Sequence, residues 1–150
     1  MSVITTEAGA ALLNHVLNNL AWANIGDASG LPAGTAGSLY ASLHTADPGV
    51  GGSQLTSEAA YTGYARVAMA RDNTWWTVSG LSATNAKAIA FPQSSTGPET
   101  ETYLGIGTAT TGNAGHLLFR CLISSPAAGL VVNPNITPSI AIGAGTLSVS

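Results

Sequence analysis

The sequence predicts a mainly β fold: an antiparallel β-sandwich, jelly-roll-like, of about eight short strands preceded by one N-terminal α-helix. Three observations carry this expectation. Apolar residues recur at helical spacing only within residues 5–23. From Ser38 onward, short alternating runs are separated by Gly- and Pro-rich turns at near-regular intervals. No helical stretch interleaves with those runs, which argues against βαβ units. At 150 residues the chain is most simply one domain, with residues 1–37 as helix and connector and 38–150 as the sandwich.

In the helix, Leu12, Leu13, Val16, Leu17 and Leu20 form the apolar stripe. Thr5 or Thr6 can cap its start, Glu7 suits the positive end of the dipole, and Asn24-Ile25-Gly26 offers a stop. The opposite face carries Asn14, Asn18 and Asn19 and almost no charge, so the helix either packs on its own domain or docks on a neighbouring subunit. Trp22 would anchor either contact. Residues 27–37 are a small-residue connector.

The strands follow. In Ser38–His44, Leu39, Ala41 and Leu43 face one way and Tyr40, Ser42 and His44 the other, the mark of a half-buried strand. Asp47-Pro48-Gly49 closes it as a tight turn. After a loop at 50–60 come strands at 65–70, 74–78 and 86–91, the last ended by Pro92. A loop at 93–100 precedes a strand at 101–108. Residues 109–115 read as a hairpin connection to His116–Ser124, which is the most apolar run and is therefore expected to be a central strand. Short strands at 130–132, 139–142 and 146–149 complete the chain.

Composition bounds the function. Hydrophobic residues make up 45% but charged residues only 7%, against about 25% in typical proteins. A surface this neutral repels its neighbours weakly, so a homo-oligomer or a fixed part of an assembly is expected. The four basic residues Arg66, Arg71, Lys87 and Arg120 are scattered, which argues against nucleic acid as a partner. No apolar run of about 18 residues is present to span a membrane, and Glu7 with no basic segment before it argues against a signal peptide. Lone Cys121 excludes an internal disulfide or a CxxC site; in step with Leu117, Phe119 and Ile123, it reads as a small buried hydrophobe. Asn135-Ile136-Thr137 is a chance sequon.

No catalytic, cofactor or metal residues are predicted. Ser42 and His44 share a strand face near Asp47, but a dyad also needs an orienting shell, and His44 is expected to bond within the turn. No two histidines have metal-ligand spacing. Glu99 and Glu101 share a strand face and could hold a cation weakly, though a solvated loop edge is the plainer expectation. Gly105-Ile106-Gly107 opens like a dinucleotide fingerprint, but Thr110 replaces the third glycine and no helix follows; a close approach to another backbone explains it. Trp75 and Trp76 must face opposite ways, one into the core and one outward. The interface candidates are therefore Leu13, Leu17, Trp22, Trp75, Trp76, Tyr61 and Tyr64.

Five segments, SLYASLHTADPG from Ser38, SEAAYTGYARVAMAR from Ser57, IAFP from Ile89, YLGIGTATTGNAGHLLF from Tyr103 and ITPSIAIGAGTLSV from Ile136, resemble a family of small bacteriophage virion structural proteins often labelled tail-fibre proteins. The resemblance covers residues 10–149. Leu104, where relatives often have Phe, and Cys121, where a small residue is common, are packing departures. The resemblance implies a non-enzymatic virion protein, made in the bacterial cytoplasm, whose partners are other phage proteins such as the major capsid protein or tail proteins. Shortness, near-neutrality and the absence of a shaft-like repeat favour a capsid decoration (cement) protein; a tail-fibre or tail-tip accessory is the close rival. A glycan- or receptor-binding module using Trp75 or Trp76 with Tyr61 or Tyr64 is a further alternative, and a hydrolase using Ser42 and His44 the last.

Overall fold

Thr5 opens the helix, its side-chain oxygen accepting from the Ala8 N–H at 3.3 Å. The helix, α1 (Thr6–Asn18), is shorter than its apolar stripe suggests. Asn19 takes the left-handed conformation, φ 54°, and its N–H and that of Leu20 both return to the Asn14 carbonyl. An asparagine, not the expected glycine, therefore stops the helix. The computed structural model describes residues 4–22, 36–124, 126 and 128–150, so the predicted stop at Asn24–Gly26 and nearly all of the connector lie outside the described residues.

Eleven short strands follow among the described residues: β1 (Ser38–His44), β2 (Val67–Ala70), β3 (Trp76–Ser79), β4 (Ser82–Asn85), β5 (Ile89–Ala90), β6 (Glu99–Glu101), β7 (Tyr103–Gly107), β8 (Leu117–Leu122), β9 (Leu130–Val132), β10 (Ser139–Ile140) and β11 (Thr146–Ser148). All pairings are antiparallel, and the mainly β sandwich expected from the sequence is the fold observed. The largest sheet has the order β2-β1-β7-β8; β11-β4-β3 forms a second, and β10-β5 and β6-β9 are two-stranded ribbons.

Two of these strands escape the sequence. β4 is Ser-Ala-Thr-Asn, too polar to read as a strand, and it forms because Gly80, at φ +58°, turns β3 back on it. β6 takes in the last two residues of the loop expected at 93–100 with Glu101, and pairing with the apolar Leu130–Val132 makes it a strand of its own, apart from β7. A third expectation fails in the other direction. His116–Ser124 is not central: β8 pairs only with β7 and is the sheet's edge. Its apolar side chains are half-buried at best and Leu122 is exposed. Apolar content shows that a strand has something to cover it, not how many neighbours it has.

One continuous core lies between the sheets. Leu39, Ala41, Leu43, Met69, Leu104 and Ile106 supply it from the large sheet, Trp76, Ala83, Ile89, Leu147 and Ile140 from the other strands, and Phe91 from just past β5. Leu13 and Leu17 join the same core, so α1 packs on β3 and β4 of its own chain. Two devices fasten it there. Gly9 lets the helix backbone close on Leu81, where a β-carbon would collide with the Leu81 side chain. Arg71, just past β2, donates to the last helical carbonyls, His15 O and Val16 O, each at 2.7 Å, and to Ala36 O at 3.2 Å.

Candidate functional site

Alternation in β1 predicts that the outer face of the large sheet is solvated. It is instead roofed by the segment between β1 and β2, and β1 is buried on both faces, Ala41, Ser42, Leu43 and His44 all at 0% exposure. The turn that starts this roof is the one the sequence predicts: the Asp47 carboxylate accepts from the Gly49 N–H at 2.8 Å, and Gly49 has φ +73°. Beyond it the chain runs back along the sheet, with Ala59 N–H donating to the Leu43 carbonyl and a single bridge between His44 and Glu58.

Polar side chains hold the roof on. His44 Nδ1 faces the Thr56 carbonyl at 2.8 Å; that oxygen only accepts, so Nδ1 carries the hydrogen and Nε2 accepts from the Ser42 hydroxyl, also at 2.8 Å. Burial holds the His44 pKa below the usual histidine value, so the ring is neutral. The buried amide of Gln54 accepts from Ala109 N–H at 3.0 Å and donates to the Tyr40 carbonyl. Gly105 and Gly107 of β7 lie directly beneath. A β-carbon at Gly105 would sit 2.5 Å from His44 Nε2 and 2.6 Å from Ser42 Oγ, and one at Gly107 would collide with the Gln54 amide. The two glycines therefore make room for buried polar side chains, not for a second backbone as the sequence suggested, and no phosphate cradle is formed.

Beside this layer, Arg66 donates to both oxygens of Glu58, Nε at 2.6 Å and Nη2 at 2.8 Å, and to the carbonyls of Ala109 and Gly112, each at 2.9 Å. Tyr64 Oη donates to Glu58 at 2.9 Å and accepts from Leu43 N–H at 3.1 Å. Burial, and after it the Glu58 charge, drives the Tyr64 pKa far up, whereas the hydrogen bond to Glu58 raises that of Arg66. This network ties the β7–β8 hairpin to the roof.

What the roof leaves open is the β8 edge. Gly49, Val50 and Gly52 on one side and Leu117–Arg120 on the other line a groove of about 200 Å³. Val50 is 99% exposed, and Leu118 occupies the bulge where β8 slips against Ile106 and Gly107 of β7. Arg120 closes one side with both Asp47 oxygens at 2.7 Å. Leu118 also borders a second cavity with Val16, Leu39 and Arg71.

The predicted site residues are not brought together as a group. Leu13, Leu17, Tyr61 and Trp76 are buried in the chain's own core. Tyr61 and Tyr64 meet edge to face at 5.4 Å, and Tyr64 stacks on Phe91 at 6.3 Å. Trp76 is buried in the core, whereas Trp75 stands in the turn before β3, half-buried against the edge of the same core with Lys87 Nζ 5.1 Å from its ring centroid, so the pair is not split by strand alternation as the sequence suggested. Trp22 is half-buried beyond the helix. Ser42 and His44 do form a hydrogen-bonded pair, but at 0% exposure no substrate reaches them, and His44 bonds across to Thr56, not within its turn. Cys121 packs against the core as a small hydrophobe, its thiol pushed up to about 11 by burial. Glu101 overturns the expectation of a solvated loop edge: it is 0% exposed. Sequence reasoning missed Asn85, whose buried side chain donates to the Lys87 and Ala141 carbonyls and accepts from Gly145 N–H, and it missed Gln54. A lone amide inside a polar run carries no signal of burial.

Among the described residues no helix is long and apolar enough to cross a membrane, and no group of three or more His, Cys, Asp and Glu could hold a metal ion. A family model described as "Gp80: Podophage GP4 fiber I protein gp80" matches residues 3–148. The chain matches no curated protein.

Proposed function

The chain belongs to the family of the podophage GP4 fiber I protein gp80, a bacteriophage virion structural family, and on that premise we propose that it is a non-enzymatic subunit of the tail fibre. The carrying observation is the family match over 3–148, whose description names a fibre. Capsid decoration, the reading favoured by shortness and near-neutrality, draws no support from that description.

The docking chemistry is uncharged. All four basic residues are engaged within the chain: Arg66 with Glu58, Arg120 with Asp47, Arg71 with helix carbonyls and Lys87 with Thr74 and the Trp75 ring. Few charges remain for ion pairs with a neighbouring virion subunit, while Val50, Leu118 and Leu122 stay exposed around the β8 edge. Attachment is therefore apolar and backbone-based, and screening by salt has little to weaken.

Antibody labelling of purified phage tests the placement. Label confined to the fibres, retained through a moderate-salt wash, is the expected result. Label at regular points on the head would replace this reading with capsid decoration, and release by salt alone would overturn the uncharged docking.

A further inference from the structure

Among the described residues, Glu101 is the one buried side chain with two charged-group oxygens and no hydrogen-bond partner. It lies at 0% exposure on β6, and neither carboxyl oxygen receives a hydrogen from any donor among the described residues. Glu99 stands two positions back on the same face of the strand, which places its carboxyl beside that of Glu101. Two carboxylates side by side are two sets of acceptors, and they repel the more strongly because one of them, Glu101, has lost its water. A single proton between them turns the contact into a hydrogen bond and removes one charge.

Glu99 is not free to swing away. Its Oε1 accepts from the Ala60 N–H at 2.8 Å, which fastens the roof segment to β6. The other titratable group facing the pair is Tyr61, on that same segment; burial and the two glutamates push its pKa up to about 12, and its hydroxyl is committed to the Pro92 carbonyl at 3.1 Å. The partner strand β9 contributes only Leu130, Val131 and Val132, none of which titrates. Immediately after Glu101, Thr102 N–H donates to the His44 carbonyl, so the pair sits at the junction of β6, the roof and the end of β1.

We propose that Glu99 and Glu101 share one proton and act as a proton-operated latch between strand β6 and the roof segment, closed while the proton is held and loosened when mild alkali removes it. Desolvation, and then Glu99, push the Glu101 carboxyl up to about 8 from its ordinary value of 4.5. The folded pKa lies above the unfolded one. The contribution to stability is therefore complete below pH 4.5 and is lost as pH rises from there through about 8.

The test is thermal unfolding of the full chain and of Glu101→Gln across pH 4 to 9, with the Glu101 side-chain carbon resonance followed by NMR. The introduced amide supplies permanently the hydrogen that the shared proton supplies only below its pKa. Glu101→Gln is expected to match wild type near pH 4.5, to raise Tm at pH 9 by about 5 °C or more, and to flatten the slope between. In wild type, amide exchange at Ala60 and Thr102 is expected to quicken above pH 8 beyond the intrinsic rate. Parallel curves for the two proteins, or a Glu101 resonance titrating in the ordinary carboxylate range, would overturn the latch. Addition of calcium supplies a third arm. A Tm rise in wild type that vanishes in Glu101→Gln would make the pair a cation site instead. None of these outcomes depends on where the protein sits in the virion.

Discussion

Over the centre of the four-stranded sheet, at β1 and β7, both faces are dry and are kept dry by opposite means. The inner face meets the other strands through Leu39, Leu43, Met69, Leu104 and Ile106, and its cohesion is non-directional. The outer face meets the roof through Ser42, His44, Gln54, Glu58, Tyr64 and Arg66, each holding a particular partner. An apolar face tolerates a change of shape at the cost of a cavity. A polar one loses more when a single partner goes, because the group left behind has no water to turn to. In a chain with 7% charged residues, the concentration of charge and hydrogen-bonding side chains under one loop is the structure's main departure from its own composition.

That contrast can be broken deliberately. The largest effect is expected from Arg66→Met, which strands Glu58 with a side chain only 11% exposed; a loss of about 3–5 kcal/mol in denaturant unfolding is expected. On the inner face, Leu104→Ala should cost about 2–5 kcal/mol, by the same amount at every pH, since nothing that titrates is disturbed. A smaller loss, about 1–3 kcal/mol, is expected for Gly105→Ala, whose added carbon enters the space of His44 and Ser42. Adding Ser42→Ala in that background removes one of the three crowded atoms, the others being on His44 and Leu117, and partial recovery of stability would locate the clash.

Acid gives a gentler probe. Burial lowers the folded pKa of His44 below its unfolded value of 6.5, so the neutral ring's contribution is full above pH 6.5 and is lost as pH falls below it. His44→Gln should unfold with less acid sensitivity in that window; identical slopes would mean that His44 is not the group responsible. The smallest effect belongs to the exposed pair. Asp47→Asn should cost under about 1 kcal/mol and matter less as salt is added, because Arg120 and Asp47 are both well solvated.

These differences mark how far the sequence can be read. The residues that face the core in β1, the turn at Asp47–Gly49 and the β7–β8 hairpin were all legible, because each follows from local periodicity or from the backbone needs of Gly and Pro. The latch and the polar layer were not. Glu99 and Glu101 read as a solvated edge because two acids in a Ser/Thr-rich run normally are one, and only pairing with Leu130–Val132 and the approach of the roof at Ala60 enclose Glu101 and half-cover Glu99. The seven interface candidates are large apolar or aromatic residues, and the same property that makes them conspicuous sends Leu13, Leu17, Tyr61 and Trp76 into the core.

Alternation, turn chemistry and the scarcity of charge, all carried by residues within a few positions of one another, were enough to determine that the chain is β-rich, opens with one helix and uses few ion pairs. Which strand stands at the edge, which face is roofed and which acid loses its water depend on contacts between residues far apart in the chain. Burial is a property of what lands on a residue, and no short stretch of chain contains that information. Tertiary structure alone decided that His44 is neutral and enclosed, that Glu101 faces Glu99 without a donor and that the most apolar strand has one neighbour where two were expected.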